Sequence, residues 1–225
     1  MATSAASPTA TLNALIVAAT HGNTAEARRL LDAGVAVNGL EIGGFSALVW
    51  AAIGGHRETA ELLLDRGADV EADTVDGRTA LILAAEHGHM DTVKLLLDRG
   101  ANLKAKPLCG DTALIQAAGG GHRDVVELLL DRGADLEAKD IHGSTALLCA
   151  AEDGHCGTVE LLLDRGADLE VRNSSGSTAL LRAISRQEAA TARLLVHRGA
   201  DVDAKDDSGK GARSTQMQPL HPQGH

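Results

Sequence analysis

The ten residues Val126-Glu127-Leu128-Leu129-Leu130-Asp131-Arg132-Gly133-Ala134-Asp135 return unchanged as Val159 to Asp168, 33 positions further on. An identical block at a fixed offset marks an internal repeat, and a repeat decides architecture before any single motif does. The glycines carry the same period through the chain. Gly44, Gly77, Gly110, Gly143, Gly176 and Gly209 stand 33 apart, as do Gly34, Gly67, Gly100, Gly133, Gly166 and Gly199. Framed three residues before the first of these glycines, six units span 8–40, 41–73, 74–106, 107–139, 140–172 and 173–205. We expect residues 1–7 to be a short disordered head. Residues 206–225 should hold a truncated seventh turn and a disordered tail.

The residue types explain the unit. Thr79, Thr112, Thr145 and Thr178 sit where a first helix begins, and a hydroxyl there accepts from the orphan N–H groups of the first turn. Ser46 holds that place in the second unit and Asn13 in the first. Alanine pairs such as Ala51-Ala52 and Ala84-Ala85 let neighbouring helices approach closely. Gly55, Gly88, Gly121 and Gly154 end the first helix, where a left-handed backbone costs glycine little. Leu62 to Leu64 and their copies fill the seam of a second helix. Arg66, Arg99, Arg132, Arg165 and Arg198 close it, where a cation suits the helix dipole.

The pattern Gly-x-Thr-Ala-Leu, Ala-Ala, Gly-His, Leu-Leu-Leu, Gly-Ala-Asp at a 33-residue period resembles the ankyrin repeat, over residues 8–205. The resemblance implies an all-α fold class with short β-turn fingers, an ankyrin-repeat helical solenoid. Two places depart from the family's Thr-Pro-Leu-His. The Pro place is always Ala (Ala14, Ala47, Ala80, Ala113, Ala146, Ala179), and the His place is always aliphatic (Ile16, Val49, Ile82, Ile115, Leu148, Leu181). The ends are also atypical, with Thr11 in the place of a turn glycine and Gln187-Glu188 in the place of Gly-His.

Composition narrows the function. Of 225 residues, 21 are Lys or Arg and 31 Asp or Glu, a formal net charge of −10. That balance argues against phosphate-backbone binding, which needs a basic footprint, so no nucleic-acid partner is expected. The longest apolar run, Ala47 to Ile53, is far short of the roughly 18–20 residues of a membrane span. Phe45 and Trp50 are the only aromatic residues, although 44% of the chain is hydrophobic. Three cysteines, Cys109, Cys149 and Cys156, form no disulfide framework.

Chemistry-bearing motifs are sparse. His56, His89, His122 and His155 repeat at one place, but helices about 8–10 Å apart cannot bring them to one zinc with ligands at about 2 Å. The structural reading of these histidines is favoured. Gly119-Gly120-Gly121 falls at a helix end and not in a strand–loop–helix phosphate site. Asn173-Ser174-Ser175 is formally a glycosylation sequon. The recurrent Asp and Glu residues occupy loops and helix ends and read as solvated. We expect no catalytic residues, no metal and no cofactor.

Places that vary between units are free of the scaffold's demands. The tenth, thirteenth and fourteenth share one helix face by their i, i+3, i+4 spacing. The second, third and fifth surround the turn glycine. On this basis the candidate partner-binding residues are Ile42, Phe45, Trp50 and Ile53 in the second unit. The third adds Asp76, Arg78, Glu86 and His87, beside Val75. The fourth gives Leu108, Asp111 and Gln116, the fifth His142, Glu152 and Asp153, and the sixth Arg182 and Arg186. By the resemblance, these surfaces correspond to the finger tips and concave groove that ankyrin repeats use for binding. Phe45 and Trp50 read either as an apolar anchor for a partner or as filling between the first and second units. The second and fifth units each carry −5 and the sixth +2. The expected function is a non-enzymatic protein-binding scaffold or adaptor. It should be monomeric and cytoplasmic, with the nucleus as the alternative compartment. The rival readings are a metal-binding or enzymatic protein and a non-catalytic subunit of a larger complex.

Overall fold

The computed structural model describes residues 8–41 and 43–212. The expectations for residues 1–7, Ile42 and the tail beyond 212 lie outside these. Among the described residues twelve helices follow in chain order: α1 (Pro8–Thr20), α2 (Thr24–Asp32), α3 (Ala47–Ile53), α4 (Arg57–Asp65), α5 (Ala80–Glu86), α6 (Met90–Asp98), α7 (Ala113–Gly119), α8 (Arg123–Asp131), α9 (Ala146–Glu152), α10 (Cys156–Asp164), α11 (Ala179–Ser185) and α12 (Ala189–His197). They form six consecutive pairs of a first and a second helix. The chain divides into two compact units, one of Met1–Ala117 with Asp124–Asp135, the other of Ala118–Arg123 with Leu136–His225. In the first, α1 packs on α3 and α3 on α5, while α2 packs on α4 and α4 on α6. In the second, α9 packs on α11 and α10 on α12.

Leucines make the core of each compact unit: Leu15, Leu48, Leu81 and Leu114 of the first helices with Leu63, Leu96 and Leu129 of the second in one, and Leu147 and Leu180 with Leu162 and Leu195 in the other, all essentially without solvent contact. The alanine pairs are equally buried, as close helix approach requires.

The first-helix caps are less uniform than their sequence. Ser46 accepts from Val49 N at 3.2 Å, Thr112 from Ile115 N at 3.3 Å and Thr178 from Leu181 N at 3.5 Å. The buried hydroxyls of Thr79 and Thr145 make no such bond and have no partner among the described residues. Asn13, expected as a cap, lies inside α1. The first unit lacks a turn glycine at Thr11, so nothing stops the helix from extending back to Pro8, a residue suited to a first helical position.

The Gly-His step joins each pair to its predecessor. Gly55, Gly88, Gly121 and Gly154 have φ of 68°, 72°, 71° and 78°, and Gly22 has 65°. The histidine that follows opens the second helix but does not cap it. Its ring reaches back instead. Nε2 of His56 donates to Thr20 O at 3.0 Å, that of His89 to Ile53 O at 2.8 Å and that of His155 to Gly119 O at 2.8 Å. A Cβ built on Gly22, Gly55 or Gly121 would sit 2.5 Å from the Nδ1 of His56, His89 or His155. The glycine is therefore required twice, for its positive φ and for the ring beside it. In the first described pair, Asn23 holds the histidine place and caps α2 at Glu26 N.

Loops and second-helix ends are tied across repeats as well. Glu71, Glu137 and Glu170 accept from the backbone N–H of Asn102, Asp168 and Asp201 at 2.7, 2.9 and 2.8 Å. Arg66, Arg99, Arg132 and Arg198 pair with Asp32, Asp65, Asp98 and Asp164 at 2.7–3.0 Å. Many recurrent acids, read as solvated from sequence, are thus joints between successive pairs. Their pairs with arginine are exposed and contribute little individually.

Gln187 is the one non-glycine residue at positive φ among the described residues, at 66°. It occupies the place held elsewhere by glycine, and a side chain there costs about 1 kcal/mol. Gln187→Gly should therefore raise the free energy of urea unfolding by about 1 kcal/mol. No gain, or a loss, would show that the left-handed turn is not strained.

Candidate partner-binding face

Between consecutive pairs the chain makes a short finger. Isolated antiparallel bridges close three of them, Leu40 with Ser46, Asp73 with Thr79 and Lys205 with Gly211. Within the first unit, Val75 N donates to Gly43 O at 3.1 Å and Leu108 N to Asp76 O at 3.0 Å. Within the second, Ser174 N donates to His142 O at 2.8 Å and Asp207 N to Ser175 O at 3.1 Å. Adjacent fingers are thereby held in register. Most fingers are braced from within. Asp140 Oδ1 accepts from His142 N and Ser144 N, Asn173 Oδ1 from Ser175 N and Ser177 N, and Thr74 Oγ1 from Arg78 N. Asn173, the sequon asparagine, spends its carbonyl oxygen on this turn.

Two fingers depart from this bracing, that of the fourth repeat, with Pro107 at the bracing place, and that of the second. Glu41 stands at the bracing place, and its longer side chain accepts from Trp50 Nε1 at 2.6 Å. Gly43 and Gly44, at φ of 101° and 83°, shape the turn. The ring of Phe45 stacks on Trp50 with centroids 5.1 Å apart and planes at 29°. Both rings and Ile53 are half-buried. Trp50 is therefore held by its own finger.

The three most exposed large apolar side chains among the described residues lie on the fingers. Val75 is 78% and Leu108 79% exposed in the first unit, and Ile141 63% in the second. Val17, on α1, is 55% exposed. Val17 and Ile141 were not among the residues selected from sequence. Ile141 had a signal, since it lies 33 residues after Leu108. Glu41 had none beyond its difference from Thr74, Asp140, Asn173 and Asp206 at the same place. Leu83, at the same place as Trp50, is buried at 3%.

The polar candidates are paired. In the first unit Arg78 bonds Glu86 across finger and helix, and Gln116 donates to Asp111 at 3.1 Å. His87 Nδ1 lies 2.9 Å from Leu83 O, and its ring stacks at 6.0 Å on His89. Asp76 is exposed and accepts from the Thr74 hydroxyl. In the second unit, Arg182 and Arg186 converge on one carboxylate, Glu152, with Arg186 Nε at 2.8 Å. The basic cluster read from sequence is thus partly neutralised. His142 and Asp153 are exposed on the finger and at the end of α9. Ile42 lies outside the described residues.

A family model for ankyrin repeats matches residues 5–74, 70–140 and 138–206. The chain belongs to the ankyrin-repeat family. Its fold is also similar to the crystal structure of the human ASB11 ankyrin repeat domain, with TM-score 0.84 and 29% identity over 91% of this chain and 92% of that one. No curated protein matches. The fold class is all-α, the helical-repeat solenoid of ankyrin domains. Ankyrin repeats are generally protein–protein interaction modules and are typically non-catalytic. No helix among the described residues is long and apolar enough to cross a membrane.

Trp50 is the only tryptophan, so its emission reports this face alone. Glu41→Ala removes the acceptor for its indole N–H. The emission should shift to longer wavelength as the ring loosens, with about 1 kcal/mol lost on urea unfolding. An unchanged spectrum would show that Glu41 does not hold Trp50.

Proposed function

We propose that the protein is a non-catalytic adaptor that binds a partner protein through its fingers and the adjoining faces of its first helices. The observation that carries this reading is the exposure of Val75 and Leu108, at 78% and 79%, on neighbouring fingers of the first unit. Their backbones are tied in register, and the finger before them carries the Phe45–Trp50 stack. Aliphatic side chains so placed serve neither core nor cap. Exposed apolar side chains on adjacent fingers support an interaction role, and a tryptophan on the finger before them suits an interface anchor. The division into six units, 8–40 through 173–205, belongs to the same proposal: each contributes one first-helix face, and the second to the sixth one finger each. We place the protein in the cytoplasm as a monomer, a setting in which its three free cysteines stay reduced.

Val75→Ser with Leu108→Ser leaves the core untouched, so stability should change by less than about 0.5 kcal/mol per site. Crosslinking capture with this variant should recover the wild-type partner at least tenfold less well. Equal recovery, or crosslinks confined to the outer faces of α4 and α6, would overturn the proposal.

A further inference from the structure

The indole of Trp50 gives its only polar hydrogen to a carboxylate. Glu41 Oε1 accepts from Trp50 Nε1 at 2.6 Å, and the Phe45 ring stacks on the indole with centroids 5.1 Å apart. An indole N–H needs one acceptor, and a neutral oxygen would satisfy it. Glutamate adds a full negative charge at the edge of the ring. No cation among the described residues pairs with that charge, whereas Asp32, Asp65 and Glu86 of the same compact unit each meet an arginine. The scaffold asks for none of the three groups. Thr74 and Pro107 stand at the place of Glu41 in the next two repeats, Arg78 and Asp111 at that of Phe45, and Leu83 and Gln116 at that of Trp50.

The surroundings carry the same sign. On the second to fourth fingers and the first helices that follow them, Glu41, Asp73, Asp76 and Glu86 face Arg78 alone, and Lys106 cancels Asp111, a balance of −3. Helix α1 has no charged residue. Arg78 is itself held by Glu86. An aromatic face already presents the negative side of its quadrupole, and donation to a carboxylate pushes further electron density into the indole. Glu41, Phe45 and Trp50 are each half-buried, so part of each stays open to solvent.

Charge and shape select the ligand. An apolar group covering the rings would leave the Glu41 carboxylate desolvated and unpaired, which is costly. A cation satisfies rings and carboxylate together. An ammonium is a compact, strongly hydrated point charge, whereas a guanidinium is planar, weakly hydrated, stacks on aromatic faces and donates in a fork. We infer that Glu41, Phe45 and Trp50 receive an arginine side chain of the partner protein. Its guanidinium lies against the rings and donates to Glu41, whose Oε2 has no donor among the described residues. The inference rests on the reading of fingers and first helices as the partner face, and it names the chemistry that the Phe45–Trp50 stack recognises.

The test is a titration of the full chain with acetyl-Gly-Arg-Gly amide, followed at the indole Nε1–H resonance and in tryptophan emission. Both signals belong to Trp50, the only tryptophan. Matched peptides with lysine and with citrulline, the uncharged isostere of arginine, form separate arms at equal ionic strength. The arginine peptide should give a saturable shift and the citrulline peptide none, with lysine bound about threefold more weakly than arginine. Glu41→Gln keeps an acceptor for the indole and removes the charge, so arginine affinity should fall about fivefold, the upper range for a half-exposed ion pair. Glu58→Gln, at an exposed acid on α4, should leave it unchanged. No shift with arginine, an equal response to lysine or citrulline, or equal losses from Glu41→Gln and Glu58→Gln would overturn the proposal. Failure of this titration with capture still lost in Val75→Ser with Leu108→Ser removes the arginine site alone. A successful titration with capture indifferent to those two substitutions removes their part in the partner face and leaves the arginine site.

Discussion

The structure depends on an imidazole ring laid over a glycine one repeat earlier. Each first helix ends with its last carbonyls unpaired, as every helix does. Here Thr20 O, Ile53 O and Gly119 O are met by the Nε2–H of His56, His89 and His155. The bond needs the ring close to the preceding turn, and the ring's approach needs a residue without a Cβ. One side chain thus satisfies a helix end and fixes the spacing of two pairs. Stability in such a chain lies in neighbour-to-neighbour terms of this kind, because each pair touches only the next.

The other joints repeat the logic with weaker partners. Glutamates in the outer loops accept the next loop's backbone N–H, and arginines at second-helix ends meet the previous pair's aspartate. Much of the net charge of −10 is therefore architectural. This frees the fingers from stabilising duty. Their tips carry Val75, Leu108 and Ile141 outward, at a cost in exposed apolar surface that the scaffold does not require. The departure of Glu41 from the bracing residues illustrates the same freedom, since it exchanges an internal turn bond for a hold on Trp50.

The period of 33 made the all-α helical repeat and its helix ends legible. Local chemistry sufficed there: glycine for positive φ, leucine columns for burial, alanine for close approach. Sequence reasoning failed where a residue acts on the preceding unit. The histidine ladder was visible, but its purpose was not, because the acceptor lies 36 residues back. The acids read as solvated because their donors lie in the next unit. Asn13 was assigned by analogy with its copies, yet a cap requires the helix to start there, and Pro8 allows an earlier start. Thr79 and Thr145 have the right residue and no bond. Among the candidate site residues, Val75 and Leu108 were identifiable because their place varies between units, whereas Ile141 at the same place was missed. The pairing of Arg182 and Arg186 with Glu152 was not, since it joins two units that sequence treats separately.

The most direct test is residue-resolved amide hydrogen exchange of His89→Ala. The coupling described here predicts lost protection on both sides of the joint, at the end of α3 and the start of α6, with about 1–3 kcal/mol lost in each. A loss confined to α6, with α3 as protected as in the wild type, would contradict it. The histidine would then serve only its own helix, and the tie between successive pairs would have to lie elsewhere.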